Sequence, residues 1–341
     1  MRELYAGMDL HSRNTYVGIL DKVTGNRVYQ KRLSNDLSMM LLELEPFRGD
    51  LKGITVESTY NWYWLVDGLM DAGYDCVHLA NPSAIKQYEG LKYKDDRHDA
   101  FWLAHLLSLG ILPEGYIYPK KDRPIRDLLR KRLFLVRHRT SHILSLESMI
   151  LRHTGKPITT QEIYALQPDD IDSLFDDVHL ALSVRTSMQT IEHLNYHIKI
   201  IKKTIIDNVR MRSPFKFLLT VPGIGTILAL TIMLEVGDIS RFAKVGHFSS
   251  YCRCVSSTHI SNGKTKGKGN RKNGNKYLAW AFIEAANYAR RYNVGLNKFY
   301  QKKMNSRNKI VATKALSNKL ARACYYVMKD QVPFKEELLI S

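Results

Sequence analysis

The sequence predicts a mixed α/β domain followed by a largely helical second half. Three observations carry this. Residues 4–33 read as three successive strands, residues 37–109 alternate helical and strand-like segments, and beyond residue 124 apolar positions recur every three or four residues with few turn signals.

In chain order, Tyr5–Asp9 and Thr15–Leu20 are strands, and Thr24-Gly25-Asn26 turns the chain into a third, Arg27–Leu33. Leu37, Met40, Leu41 and Leu44 have helical spacing, and Pro46 and Gly49 stop that helix near Phe47. Lys52–Ser58 is a buried strand ending in a carboxylate, Trp62–Ala72 a helix closed by Gly73, and Tyr74–Ala80 another strand. Helical character returns after Pro82, breaks over the charged run Lys92–Asp99 and resumes to Leu109. Ile125–Leu151 and Ile171–Ile206 are expected to form long antiparallel helices, a coiled coil being the simplest arrangement. Beyond them, a Gly/Lys/Asn-rich loop at 261–276 precedes helices running from Tyr277 to about Lys329. The expected domains are therefore 1–115, a connector at 116–212, and 213–341.

Charge separates these regions by function. The 341 residues carry 51 Lys+Arg against 33 Asp+Glu, a net charge of +18. Residues 1–110 hold 12 basic and 15 acidic residues, so the whole surplus lies beyond them. From Arg241 to Lys319 there are 18 basic residues and one acid, Glu284. Such a stretch repels itself unless a polyanion covers it, which assigns nucleic acid to the basic half. Neither an apolar leader nor a membrane-length apolar run is present, so a cytoplasmic, nucleoid-associated protein without membrane contact is expected. Cys76, Cys252, Cys254 and Cys324 lack zinc-site spacing and read as reduced, buried thiols.

Four carboxylates stand out. Asp9 ends the first strand and Glu57 the strand after the first helix, and the carboxyl ends of neighbouring strands open on one crevice. Asp96 and Asp99, three apart, share a helix face where the chain returns to the sheet. Four such groups repel one another, and a hard divalent cation, Mg²⁺ or Mn²⁺, relieves that repulsion. The alternative is structural: Asp9 as a turn residue and 95–99 as a solvated run of local ion pairs.

In the basic half, Val221-Pro222-Gly223-Ile224-Gly225 resembles the hairpin of a helix-hairpin-helix, where Gly223 and Gly225 would bring backbone N–H groups to a phosphate. An ordinary packing corner is the alternative. The stretch 258–272, with Lys264, Lys266, Lys268, Arg271 and Lys272 and Lys276 just beyond, has no apolar residue after Ile260; it is expected to stay in solvent or wrap phosphate. Tyr277, Trp280, Tyr288 and Tyr292 either stack on bases or join the core. Ser261 is the loop's nucleophile candidate, against its ordinary role as a turn residue.

Gly7-Met8-Asp9, Val56-Glu57-Ser58-Thr59, Gly90-Leu91-Lys92 with Asp96-x-x-Asp99-Ala100, Val221–Gly225, and Ser261-Asn262-Gly263-Lys264-x-x-Gly267 with Gly274–Leu278 occur in this order. Together they resemble the DEDD transposases of the insertion sequence 110 family, relatives of the Piv invertases, and lean towards the 1111 branch. The resemblance spans roughly residues 4–333. It implies a RuvC-like (RNase H fold) N-terminal domain, a coiled-coil connector and a mainly α C-terminal transposase domain. It also implies a Mg²⁺-holding tetrad of Asp9, Glu57, Asp96 and Asp99, and Ser261 as nucleophile. Family members recombine double-stranded DNA under a structured guide RNA from the element's own end. They assemble as tetramers, dimers of dimers, with active sites shared between subunits. This chain departs from the pattern in its lysine- and glycine-rich loop and in Ala279-Trp280-Ala281, where arginines are common. Ser256 and Ser257 are alternatives to Ser261. Two other functions remain open from the residues alone: a metal-dependent junction nuclease using water, and a non-catalytic nucleic-acid binder.

Overall fold

The computed structural model describes residues 2–85, 95–209, 212–255, 258–268 and 273–335. Gly90-Leu91-Lys92, Ser256, Ser257, Arg271 and Lys272 lie outside them. The chain divides into two compact units, Met1–Lys120 and Lys121–Ser341.

The first unit is a five-stranded sheet in the order β3-β2-β1-β4-β5. Its strands are β1 Leu4–Leu10, β2 Asn14–Asp21, β3 Arg27–Ser34, β4 Leu51–Glu57 and β5 Val77–Ala80. The first three pair antiparallel, whereas β1–β4 and β4–β5 are parallel. Helices α1 (Leu37–Leu44) and α2 (Tyr63–Asp71) supply the crossovers, and α3 (Asp96–Ser108) follows. Strand β1 is buried along nearly its whole length, as expected of a central strand covered on both faces. The expected helix over residues 37–47 ends in a 3₁₀ turn at Glu45–Phe47, where Pro46 removes a backbone donor. The last strand is shorter than expected, and a 3₁₀ turn at Pro82–Ala84 follows it; the rest of the helical segment expected between Pro82 and the charged run lies outside the described residues.

Glycines on one face let α3 lie directly on the sheet. Gly7 of β1 and Gly18 of β2 face each other in the ladder. A methyl group on Gly7 would sit 1.9 Å from the Ala100 carbonyl oxygen, and one on Gly18 would sit 3.2 Å from the Phe101 ring. The N-terminus of α3 is thereby fixed. Asp95 caps it, its side chain accepting from the His98 amide, and Asp96 and Asp99 fall in the first turn. Negative charge is favoured there by the helix dipole.

The second unit begins with α4 (Arg123–Thr154), closed by Gly155 in the left-handed region at φ 69°. Short helices α5 (Thr160–Ala165) and α6 (Pro168–Leu174) lead into α7 (Val178–Val209). Val184, Ile191, Ile198 and Ile205 on α7, seven residues apart, are buried. They answer Leu129, Ile143 and Ile150 on α4, making the antiparallel heptad seam that the apolar spacing predicts. A polar pair interrupts that seam, the Arg139 guanidinium donating to Asn195 Oδ1 at 2.8 Å.

Helices α8 (Ser213–Leu218), α9 (Thr226–Val236), α10 (Val245–Tyr251), α11 (Lys276–Tyr292), α12 (Val294–Ser306) and α13 (Lys309–Asp330) complete the unit. Leu129, Ile205 and Val209 join their core, so one end of the long helix pair is built into the C-terminal helices. Cys252, Cys254 and Cys324 lie buried there as free thiols, their ionisation pushed up by burial. Among the described residues no helix is long and apolar enough to cross a membrane.

Between α10 and α11 the expected structureless loop is instead a hairpin, β6 (Thr258–Ser261) and β7 (Lys264–Lys268). Its turn is Asn262-Gly263, with φ 51° and 70°. Positive φ at both positions defines the type I′ turn, whose twist matches that of paired strands. Backbone pairing therefore orders a segment that has no apolar residue beyond Ile260.

The Gly7 contact is directly testable. Gly7→Ala forces α3 off the sheet and should cost about 1–3 kcal/mol, the usual range for overpacking. Gly49→Ala, where the new methyl would meet nothing within 4 Å, should leave chemical-denaturation midpoints unchanged or slightly raised.

Candidate metal centre and serine hairpin

Strand register assembles the acidic site in the first unit. Asp9 and Glu57 follow directly on the parallel pair Met8–Val56, at the carboxyl ends of adjacent strands. Asp9 is opposite Tyr16, and Tyr16 opposite Arg32, so the three form one row across β1, β2 and β3. From the far end of that row the Arg32 guanidinium reaches Asp96 Oδ2 at 2.6 Å.

His11 joins the cluster from the β1–β2 turn, its Nε2 standing 3.1 Å from Asp9 Oδ2 and 3.3 Å from Asp96 Oδ1. Asp9 is 4% exposed. Burial, above all, raises its carboxyl, with Asp96 adding to the rise and His11 opposing it. Glu57 is pushed up from 4.5 to about 7, first by burial, then by its hydrogen bond to Asp9 and by the charges of Asp9 and Asp99. Asp9 and Glu57 are thus a mutually interacting pair, both raised above the ordinary carboxyl range by burial first.

The structure joins Asp9 and Asp96 through His11, Glu57 is linked to Asp9, and Asp99 acts on Glu57 through its charge; Glu57 and Asp99 stand outside the tightest group of ligand atoms. Ligand atoms of Asp9, His11 and Asp96 all lie within 4.8 Å of one another. Buried and neighbouring carboxyl groups whose ionisation is opposed are a donor set that a divalent cation would complete, so the residues fit a hard metal ion. His11 and Arg32 escape notice in the sequence: the Asp-x-His spacing is visible, but the reach of Arg32 depends on register across three strands.

In the second unit, Ser261 pairs with Lys264 across the I′ turn at the hairpin tip and is half-buried. Lys264 lies directly opposite Ser261, and Lys266 is the extra residue where the ladder shifts register between Thr265 and Gly267; both lysines are exposed. Lys268 closes the ladder opposite Thr258.

The hairpin is clamped at its root. Arg253, itself at φ 55°, donates from Nε to the carbonyls of Asn273 and Gly274 at 3.0 and 3.1 Å, joining the incoming and outgoing chains. The Asn275 amide donates to the Tyr251 carbonyl at 2.7 Å. Asn275 also caps α11 and donates from Nδ2 to Glu235 Oε2. Glu235, 2% exposed on otherwise apolar α9, is gripped by Arg130 through bonds of 2.6 and 2.7 Å. Lys276 begins α11, its ammonium 5.3 Å from the Tyr277 ring centre.

The 221–225 hairpin divides its two glycines between roles. Gly223, at φ 80°, has α11 where a side chain would be: a methyl there would lie 2.3 Å from the Ala285 carbonyl oxygen. Packing thus accounts for this glycine. Gly225 is exposed and opens α9, and a methyl there would meet nothing within 4 Å. A groove of about 760 Å³ beside it is lined by Arg132, Lys202, Trp280, Tyr288 and Tyr292 as well as the hairpin. Trp280 packs against the core, whereas Tyr288 and Tyr292 are 47% and 80% exposed.

Residues 6–154 match the model of the DEDD transposases of the IS110 type, and residues 216–301 match the transposase IS116/IS110/IS902 family. The y4qE protein of Sinorhizobium fredii, named as a transposase, is 26% identical over 271 residues, 77% of this chain and 65% of its own length. The transposase for insertion sequence element IS1328 of Yersinia enterocolitica is 24% identical over 350 residues, covering 97% of this chain and 98% of the relative. The chain thus spans about two thirds of the first relative and nearly all of the second.

Two measurements follow from this geometry. Glu57 ionises near 7 in the fold but near 4.5 as an ordinary carboxyl. Its contribution is therefore complete below about pH 4.5 and is lost as pH rises through about 7. Metal-free protein should melt at a lower temperature at pH 8 than at pH 5, and added Mg²⁺ should raise the melting temperature more at pH 8. Equal Mg²⁺ effects at both pH values would contradict the raised ionisation of Glu57. Separately, Arg130→Met strands the Glu235 carboxylate and should cost about 3 kcal/mol in urea unfolding, much of it recovered by adding Glu235→Leu.

Proposed function

Since the chain belongs to the IS110 family of DEDD transposases, we propose that it moves an insertion sequence as an RNA-guided DNA recombinase, exchanging strands through a covalent Ser261–DNA intermediate. The observation that carries this reading is the hairpin tip, where a fixed turn presents Ser261 directly opposite Lys264, with Lys266 exposed two residues on.

In the proposed step, Ser261 Oγ bonds to the phosphorus of a DNA phosphodiester. The phosphorus–oxygen bond to the departing strand breaks, and the serine proton ends on that strand's oxygen as a free hydroxyl. One ester replaces another, so the energy of the bond is kept for rejoining. A hydroxyl of the exchanged strand then attacks the serine ester and returns the proton to Ser261. Lys264 and Lys266 balance charge on the phosphate, and the clamped root fixes the direction of approach. Asp9, Glu57, Asp96 and Asp99 would hold a divalent ion, Mg²⁺ or Mn²⁺, which when bound supplies positive charge for the phosphate and lowers the cost of the alkoxide.

The partners in this reading are double-stranded DNA, both element ends and target, and a structured guide RNA, with four copies assembling as a dimer of dimers. The surplus of +18 supports a polyanionic partner. Arg132, Lys202, Tyr288 and Tyr292 around the 221–225 hairpin combine cations with exposed rings, a composition that suits a nucleic-acid strand.

Adduct trapping tests the reading. Full-length protein, RNA transcribed from the element end, and element-end DNA are incubated with Mg²⁺, denatured and resolved for DNA-linked protein. Wild type should give the linked band, and Ser261→Ala and Asp9→Asn should each lose it. Cleavage without a linked band, persisting in Ser261→Ala, would assign the carboxylates to water-dependent cleavage and remove the serine step.

A further inference from the structure

The donors at the edge of the carboxylate cluster are not all oxygens. His11 Nε2 lies 3.1 Å from Asp9 Oδ2 and 3.3 Å from Asp96 Oδ1. Neighbouring ligands of an octahedral ion with bonds of 2.0–2.1 Å stand about 2.9–3.0 Å apart. The imidazole nitrogen therefore occupies a position close to that of an adjacent corner, facing one oxygen of each carboxylate.

Its placement is built from several sides. The His11 amide donates to the Asn14 carbonyl at 2.9 Å. Its own carbonyl accepts from Asn35 Nδ2 at 2.9 Å and from Asn61 Nδ2 at 3.0 Å. Those amides are oriented in turn by Thr15 and Thr59, whose hydroxyls donate to them at 2.8 Å. These bonds fix the backbone at His11, the base from which the imidazole reaches both carboxylates. Moreover, Asp96 already has a cation on its other oxygen, Arg32 at 2.6 Å. The side chain is 47% exposed, open to an arriving ion.

We propose that His11 is a ligand of the metal held by this cluster, and that its nitrogen sets the preference of the site towards Mn²⁺ over Mg²⁺. Magnesium takes oxygen donors and holds its waters, whereas an imidazole nitrogen favours transition ions. The inference rests on reading the carboxylates as a metal centre.

The test is spectroscopic. Another imidazole pair, His193 and His197 on α7, has Nε2 atoms 3.1 Å apart, so all proteins carry His193→Ala and His197→Ala. Full-length protein is titrated with Mn²⁺ and with Mg²⁺ by calorimetry, and the Mn²⁺ complex is examined by pulsed electron paramagnetic resonance. Expected are a directly coupled imidazole nitrogen, its loss in His11→Ala, and a preference for Mn²⁺ that narrows about tenfold. Mn²⁺ bound without nitrogen coupling overturns the proposal while leaving an oxygen-only metal centre intact. Failure to bind either ion overturns the metal centre and the proposal together. Where His11→Ala fails to fold, His11→Gln, which keeps a polar side chain without the imidazole, must lose the same coupling; coupling retained there overturns the proposal.

Discussion

The first unit depends on the approach of α3 to β1 at Gly7. Helix and sheet meet there without a side chain between them, because a methyl group would stand 1.9 Å from the Ala100 carbonyl. That contact lets a helix set its first turn beside the ends of two strands. Asp96 and Asp99 come with α3, Asp9 and Glu57 with the sheet, and their separation follows from the packing distance. The cluster then acquires its electrostatics without further design: burial and crowding push the Glu57 carboxyl up to about 7, while His11 and Arg32 stand against Asp9 and Asp96.

Much of this order is legible in the amino-acid sequence. Asp9 and Glu57 reveal themselves because strands end there, and period-two patterning marks strand ends. Asp96 and Asp99 reveal themselves by helical spacing, although the run 92–99 hides the fact that a helix starts at Asp96, on an Asp95 cap. Arg32 stays hidden because its partner is set by pairing across three strands, information that local pattern does not hold. The hairpin around Ser261 is a different case. Hydropathy finds nothing to bury and predicts a loop, yet Asn262-Gly263 alone specifies the tight turn. The two principles conflict there, and turn chemistry prevails.

The glycines make the same point. Gly223 and Gly225 fall in one short motif and look equivalent on paper. In the fold, α11 fills the space beside the first, while the second is open to solvent at the start of α9. Only tertiary neighbours separate a glycine demanded by packing from one that leaves backbone accessible. Tyr288 and Tyr292 likewise have the spacing of core residues yet stand exposed, since the buried face of α11 belongs to Leu278, Phe282, Ala285 and Ala289.

The Glu235 network also has a mechanical meaning. Helix α4 has 32 residues, a rod of about 48 Å at the usual rise, and Arg130 lies near one end of it. Through Glu235 that residue is coupled to Asn275, and through Asn275 to the cap of α11 and the outgoing root of the serine hairpin. A buried carboxylate cannot slide to a substitute partner as a surface one can. Tilting the rod must therefore drag the hairpin root along or strand a charge in the core. The long helix is a lever arm, and its fulcrum is an ion pair.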